Sequence, residues 1–183
     1  MSLEPAEEQE LIKASQEGDT GAYDALVSHY LRRVISIAWG IVRNAQDAED
    51  LAQEAFVSAY QNIGRFRAGE PFGPWIFRIV TNRALDVMKH RNKFRDVELI
   101  GTEPVPRRDE ADLGAASNEI ARRIDLALAE LPEMQQLVAR LHLIEEMEHD
   151  QIAAVTGLSG GTVRSHLSLA RAKLKQKLAD LYE

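Results

Sequence analysis

The sequence predicts an all-α protein: two small helical domains joined by a flexible linker, the C-terminal one containing a helix-turn-helix. Three observations predict it. From Glu7 to about Arg95 apolar residues recur at three- and four-residue intervals, and the same period returns at Ile120 and runs to the end. From Asp96 to Ser117 that period vanishes, and Gly101, Pro104, Pro106 and Gly114 lie among acids and arginines. No stretch alternates with period two for long enough to suggest a strand. The expected boundaries are residues 1–95 for the first domain, 96–117 for the linker and 118–183 for the second.

Composition fits this division. The 183 residues are 45% hydrophobic, enough to fill either one core or two small ones, and the formal net charge is -7. With no cysteine, disulfides and thiolate zinc sites are excluded. The opening MSLEPAEEQELIKA is acidic and lacks the basic and apolar regions of a secretory signal. The longest apolar run, Val34 to Val42 with one serine and one glycine in it, is too short to span a bilayer. A cytoplasmic protein without membrane insertion is expected.

In the first domain, NAQDAEDLAQEAFVSAYQNIGRF places Leu51, Ala55, Phe56, Ala59, Tyr60 and Ile63 on an inward helical face, with Asp47 as N-cap. Glu49, Asp50, Gln53 and Glu54 stay on the outside of its first turns. Acids there are favoured by the helix dipole, and they also suit a protein-docking face; spacing does not separate the two.

The next segment, RFRAGEPFGPWIFRIVTNRALDVMKHRNKFR, is cationic within an acidic chain: Arg65, Arg67, Arg78, Arg83, Lys89, Arg91, Lys93 and Arg95 meet only Glu70 and Asp86. Phe66, Phe72, Trp75, Phe77 and Phe94 are interleaved with these bases. Rings stack on unpaired nucleic-acid bases while cations follow the backbone. Trp75, Ile76, Ile79, Val80 and Leu85 also have the spacing of a helical core, so burial of several rings is the competing reading.

Beyond the linker, DQIAAVTG reads as a short helix with Ile152 and Val155 inward, capped by Glu148 or Asp150 and closed by Gly157 in a left-handed conformation, with Ser159 capping the next helix. In that helix Val163, Leu167, Ala170, Leu174 and Leu178 form a packing stripe. Arg164, Ser168, Arg171 and Lys175 form a second stripe beside it. No acid occurs from Gly157 to Leu178. Short helix, glycine turn and longer basic helix make a helix-turn-helix, whose second helix fits the major groove. Gly160 and Gly161 thin the helix start, where backbone amides can approach a phosphate.

No catalytic constellation competes with this reading. There is no nucleophile elbow, no phosphate-cradling glycine loop and no supported carboxylate pair. The histidines, His29, His90, His142, His149 and His166, are scattered; His142 with Glu145 or Glu146 has ligand spacing but lacks a third ligand. No cofactor, metal or catalytic residue is expected.

The segments GDTGAYDALVSHY, DAEDLAQEAF, PFGPWIFRIVTNRALD, LAELPEMQQLVARLHL and DQIAAVTGLSGGTVRSHLSLARAKL, in this order from Gly18 to about Leu178, resemble the sigma factors of the extracytoplasmic-function (ECF) group. These are promoter-specificity subunits of bacterial RNA polymerase. The resemblance implies that Asp47, Glu49, Asp50, Gln53 and Glu54 dock on the clamp helices of the largest polymerase subunit. It implies that Phe72, Trp75, Arg78, Asn82, Arg83 and Lys89 engage the minus-ten element and capture unstacked bases of the non-template strand. Thr162, Arg164, Ser165, His166, Arg171 and Lys175 would lie against the minus-thirty-five element, with the second domain also meeting the flap of the second-largest subunit. A stress- or signal-responsive promoter set, a linker near the RNA exit path, a monomeric free state and an anti-sigma protein covering both domains are further implications.

The chain departs from the family pattern at His166 and Leu169, where arginines are usual, so its recognition helix is less cationic. EMEHDQ also replaces the usual start of the preceding helix. A conventional dimeric regulator would instead footprint its site without polymerase, and a sigma-like decoy would bind polymerase and leave promoters silent.

Overall fold

The computed structural model describes residues 3–93, 123–124 and 126–177; the linker expected over 96–117, together with Phe94, Arg95 and Leu178, lies outside the described residues. Among the described residues the full-length helices, in chain order, are α1 Pro5–Gln16, α2 Thr20–Val42, α3 Ala45–Asn62, α4 Phe72–Lys93, α5 Glu133–Leu143, α6 His149–Thr156 and α7 Gly160–Lys177. A 3-10 turn, Ile63–Arg65, follows α3, and residues 126–129 are helical ahead of α5. No strand occurs among the described residues. No helix among them is long and apolar enough to cross a membrane.

Local chemistry sets the helix ends. Pro5 starts α1, where a missing N–H costs nothing, and Gly18 at φ 97° turns the chain towards α2. Asp19 caps α2 by accepting from the Ala22 amide at 3.1 Å. The cap of α3 differs from expectation: Asn44, not Asp47, accepts the amide hydrogen bond, from Asp47 N at 2.9 Å. Both side chains are competent caps three residues apart, and the earlier one takes the role; Asp47 is left in the first turn, where its charge suits the dipole.

The N-terminal module packs α2 and α3 on α4, with α1 laid across α2. The α3 stripe facing the core is built of small residues, Ala48, Ala52, Ala55 and Ala59, each fully buried, so its backbone lies close to α2. Tyr60, expected inward, is 42% exposed and packs beside Tyr23, whose hydroxyl donates to the Phe56 carbonyl at 2.6 Å. Burial raises the pKa of that hydroxyl, which stays a donor.

In the C-terminal module Leu128, Leu131 and Ala139 close over Ala170 and Leu174 of α7. Val163 and Leu167 are buried in the larger core, so the described part of the expected packing stripe is inward. An ion pair between Lys177 and Glu130 ties the end of α7 to the turn before α5.

The two modules are packed together, which periodicity alone did not indicate. α2 meets α5, and α4 meets α6. Leu137, Val138, Leu141, Met147, Ile152 and Val155 belong to the same apolar cluster as the N-terminal core. Around it lies a polar seam. Arg33 pairs with Glu145, Arg140 donates to Ser36 Oγ at 2.6 Å, and Arg43 reaches Gln136 and the Ala129 carbonyl, the latter at 3.2 Å. Burial, and then the charge of Arg140, lower the pKa of Arg43.

Glu145 is the most sensitive member: its side chain is 1% exposed against 37% for Arg33. Arg33→Ala would strand a buried carboxylate, at a cost of about 3 kcal/mol, whereas Glu145→Ala leaves a guanidinium that can turn to water. Arg33→Ala is therefore expected to open the seam more. Since the chain has no cysteine, dyes on Glu17→Cys and Lys173→Cys report the opening as lost energy transfer.

Candidate functional site

The loop from Phe66 to Pro71 and the first turns of α4 bring the interleaved aromatics together. Phe72 is fully buried, its ring 6.4 Å from Tyr23, 5.4 Å from Tyr30, 6.2 Å from Phe66 and 5.5 Å from Trp75. This corrects the expectation that Phe72 meets DNA directly: it anchors the helix start, and Trp75 is the ring left half-buried at the surface, 4.7 Å from Phe66. Gly73 is held close to Tyr30: a Cβ there would lie 3.0 Å from its ring.

Along α4, Trp75, Arg78, Asn82 and Lys89 share one outer stripe. Arg78 and Asn82 are exposed, and their side chains have no partner among the described residues. Lys89 pairs with Asp86 at 3.2 Å in a bridge where both groups are largely exposed, a weak restraint. Arg83 lies on another flank and pairs with Glu54 at 2.7 Å; Arg91 does the same with Asp47 at 2.6 Å. Arg83 is thus turned to α3, not to the outer stripe.

Those pairs also divide the acidic residues of α3. Asp47 and Glu54 are partly neutralised from α4, Asp47 half-buried and Glu54 still largely exposed, while Glu49, Asp50 and Gln53 are exposed and, among the described residues, have no cation of α4 beside them. Glu49 and Gln53 rim a groove of about 750 Å³ between α2 and α3, floored by Val27, Leu31, Ile35, Val57 and Tyr60. Leu31 is 38% and Val57 51% exposed. Sequence reasoning missed this groove, although Val27, Leu31 and Ile35 recur every four residues as a second apolar stripe beside the core stripe of α2.

The helix-turn-helix is built as its residues imply. Glu148 starts α6, its amide donating to Gln151 Oε1 at 2.9 Å. Gly157 takes φ 73° and ends it; the Thr156 hydroxyl donates to the Ile152 carbonyl at 2.7 Å. Ser159 Oγ accepts from the Thr162 amide at 3.1 Å, capping α7. Arg164, Ser165, Ser168, Arg171 and Lys175 are exposed, and Thr162 is half-buried. His166 is half-buried too, with Nδ1 turned inward and unpartnered.

Of the residues weighed as a metal pair, His142 and Glu145 are otherwise engaged. His142 Nδ1 faces the Met147 carbonyl at 3.0 Å and its Nε2 faces Arg171 at 2.9 Å, a pattern that makes Nδ1 the donor and Nε2 the acceptor; Glu145 pairs with Arg33. His142 therefore orients a cation of the α7 surface.

At the start of α7, a Cβ on Gly160 or Gly161 would meet nothing closer than 3.7 Å. The fold does not require glycine there. Gly161→Ala is expected to stabilise the helix by about 0.5–1 kcal/mol while weakening DNA binding, because the added methyl stands where a phosphate would approach the amides. A raised Tm with reduced binding to duplex DNA checks both halves.

Two exposed cationic stripes on separate modules, one of them in a capped helix-turn-helix, define a two-module nucleic-acid-binding protein. Residues 26–94 match the family described as Sigma-70 region 2, and residues 121–174 match Sigma-70, region 4. Over 189 residues the chain is 30% identical to the ECF RNA polymerase sigma-E factor of Escherichia coli, with 95% of each chain covered. Over 179 residues it is 28% identical to the ECF RNA polymerase sigma factor SigW of Bacillus subtilis, covering 93% of this chain and 96% of the relative. Among solved structures, CnrH in complex with the cytosolic domain of CnrY is similar at 27% identity and a TM-score of 0.65, over 94% of this chain and 97% of that one. The sigma factor RpoE in complex with the anti-sigma factor NepR from Bartonella quintana shares the fold, with a TM-score of 0.70 at 22% identity over 86% of this chain and 96% of that one.

The chain belongs to the ECF sigma factors of RNA polymerase. Its function is that of a promoter-specificity subunit.

Proposed function

We propose that this subunit directs core polymerase to a stress- or signal-responsive promoter set in the cytoplasm, performs no chemistry itself, and helps open the minus-ten region. Residues 1–95 would serve the polymerase and the minus-ten element, residues 118–183 the minus-thirty-five element and the flap, and 96–117 would connect them. Glu49, Asp50 and Gln53 dock on the clamp helices of the largest subunit, with the apolar groove of α2 and α3 alongside. Trp75, Arg78, Asn82 and Lys89 face the non-template strand, Trp75 stacking on an extruded base. Thr162, Arg164, Ser165, Arg171 and Lys175 face the major groove upstream, and His166 sits at their margin.

The observation that carries this reading is the pair of exposed cationic stripes, on α4 and α7, in a chain whose net charge is -7. Local positive charge supplies contact with phosphates, while the acidic remainder limits binding to random duplex by the free chain. The relatives in solved complexes with CnrY and NepR support an anti-sigma partner for this chain as well.

Run-off transcription with purified core polymerase on a library of promoter fragments tests the reading. A defined subset of fragments should become active only when the chain is added. Transcription from none of them, or a footprint by the chain without polymerase, would overturn it.

A further inference from the structure

The loop ahead of α4 is held from behind by α1. Gln9 uses both ends of its amide: Nε2 donates to the Glu70 carbonyl and Oε1 accepts from the Gly69 amide, each at 2.9 Å. Gln16 Nε2 donates to the Ile63 and Phe66 carbonyls, also at 2.9 Å each. The two glutamines stand two turns apart on one helix, about 10 Å along its axis. They thus fasten the loop near both ends. Between them the backbone includes Gly69 at φ 85°, a conformation other residues adopt at a cost.

The loop has no regular ladder of its own beyond Arg65, so these side chains supply partners that water or fluctuation would otherwise supply. Fixing a free backbone costs about 1–2 kcal/mol per residue. A loop already fixed by α1 does not incur that cost when DNA arrives, and it presents Phe66 beside Trp75 in a single arrangement. Discrimination between flat bases of similar size depends on such fixed geometry, and small displacements erase it.

We propose that Gln9 and Gln16 are positioning residues that set base selection at the minus-ten element, acting through the loop without touching DNA. This rests on the reading that the loop and Trp75 receive an unstacked base. Both glutamines are half-buried, so their removal leaves the apolar core in place.

The test compares the full chain with Gln9→Ala/Gln16→Ala and, separately, with Gln16→Glu, which sets a carboxylate against two carbonyl oxygens. Each is assayed with core polymerase on templates carrying every single-base change in the minus-ten element, and with 2-aminopurine in the non-template strand to report base extrusion. Affinity for core polymerase and thermal melting serve as controls. The expected result is a discrimination ratio between preferred and altered elements that falls about tenfold or more in both variants, at unchanged polymerase affinity. An unchanged ratio in both variants overturns the proposal, including the case in which transcription falls equally on every template. Failure of the unaltered chain to select any promoter would instead overturn the underlying functional reading.

Discussion

Replacing Phe72 with alanine is expected to lower the stability of the N-terminal module by about 3–5 kcal/mol, a large share of what a small domain has. The ring is fully buried among Tyr23, Tyr30, Phe66 and Trp75, and its backbone amide donates to the buried carboxylate of Glu8 at 3.3 Å. That carboxylate also accepts from the Tyr30 hydroxyl, whose pKa burial and this bond raise together. Truncation therefore opens a cavity where α1, α2 and the start of α4 converge. Urea denaturation followed by circular dichroism measures the loss. Trp75→Ala, at a half-buried position only three residues on, should cost much less stability and yet suppress promoter opening. Equal destabilisation by the two substitutions would contradict the assignment of Phe72 to the core and Trp75 to the surface.

The second large effect is expected on α3. On the proposed docking of this face against a cationic surface of the polymerase, reversing the charge of the exposed pair, Glu49→Arg with Asp50→Arg, should reduce run-off transcription about 100-fold, since like charges set opposite one another at an interface cost several kcal/mol and each 1.4 kcal/mol is a factor of ten. Asp47→Arg is the informative comparison. Asp47 already faces Arg91 at 2.6 Å, so its reversal disturbs the contact between α3 and α4 more than it alters the outward face. The ratio of polymerase affinities of the two variants, measured by competition with the unaltered chain, separates a docking face from helix stabilisation. Similar affinities would return the acids to the role of favouring the helix dipole.

The residues themselves announced much of the fold. Gly157 and Ser159 each have one conformational task at their positions, and both perform it, so the turn between α6 and α7 was legible from the sequence. The stripe of Val163, Leu167, Ala170 and Leu174 was legible for the same reason: a helix repeats its face on a fixed period. Periodicity within a helix says nothing of its rotation against another. Hence Arg83 and Arg91, read as part of a DNA-facing series, turned out to face Glu54 and Asp47, and Phe72 could not be told from a surface ring. Arg33 and Glu145 are 112 residues apart, and no local pattern links them. Asn44 and Asp47 were both chemically able to cap α3, and only geometry chose between them.

The seam between the modules has a consequence for distance. With α4 against α6, helix axes that meet face to face lie about 8–10 Å apart, and α7 begins just beyond the α6 turn. Elements centred near minus-ten and minus-thirty-five on a duplex are separated by roughly 85 Å at 3.4 Å per base pair. If the two modules read these elements as proposed, a chain folded shut in this way would address one of them at a time. Reaching both would require the halves to part. The apolar centre of the contact opposes that. Its polar border offsets part of the cost, since Arg33, Ser36, Arg43 and Arg140 would regain water while Trp39 Nε1 and Gln136 Nε2, unpartnered when shut, would gain hydrogen bonds. On the proposed assignment of the modules, closure and promoter span are mutually exclusive states of one molecule, and a closed chain would have to open before it could serve both elements.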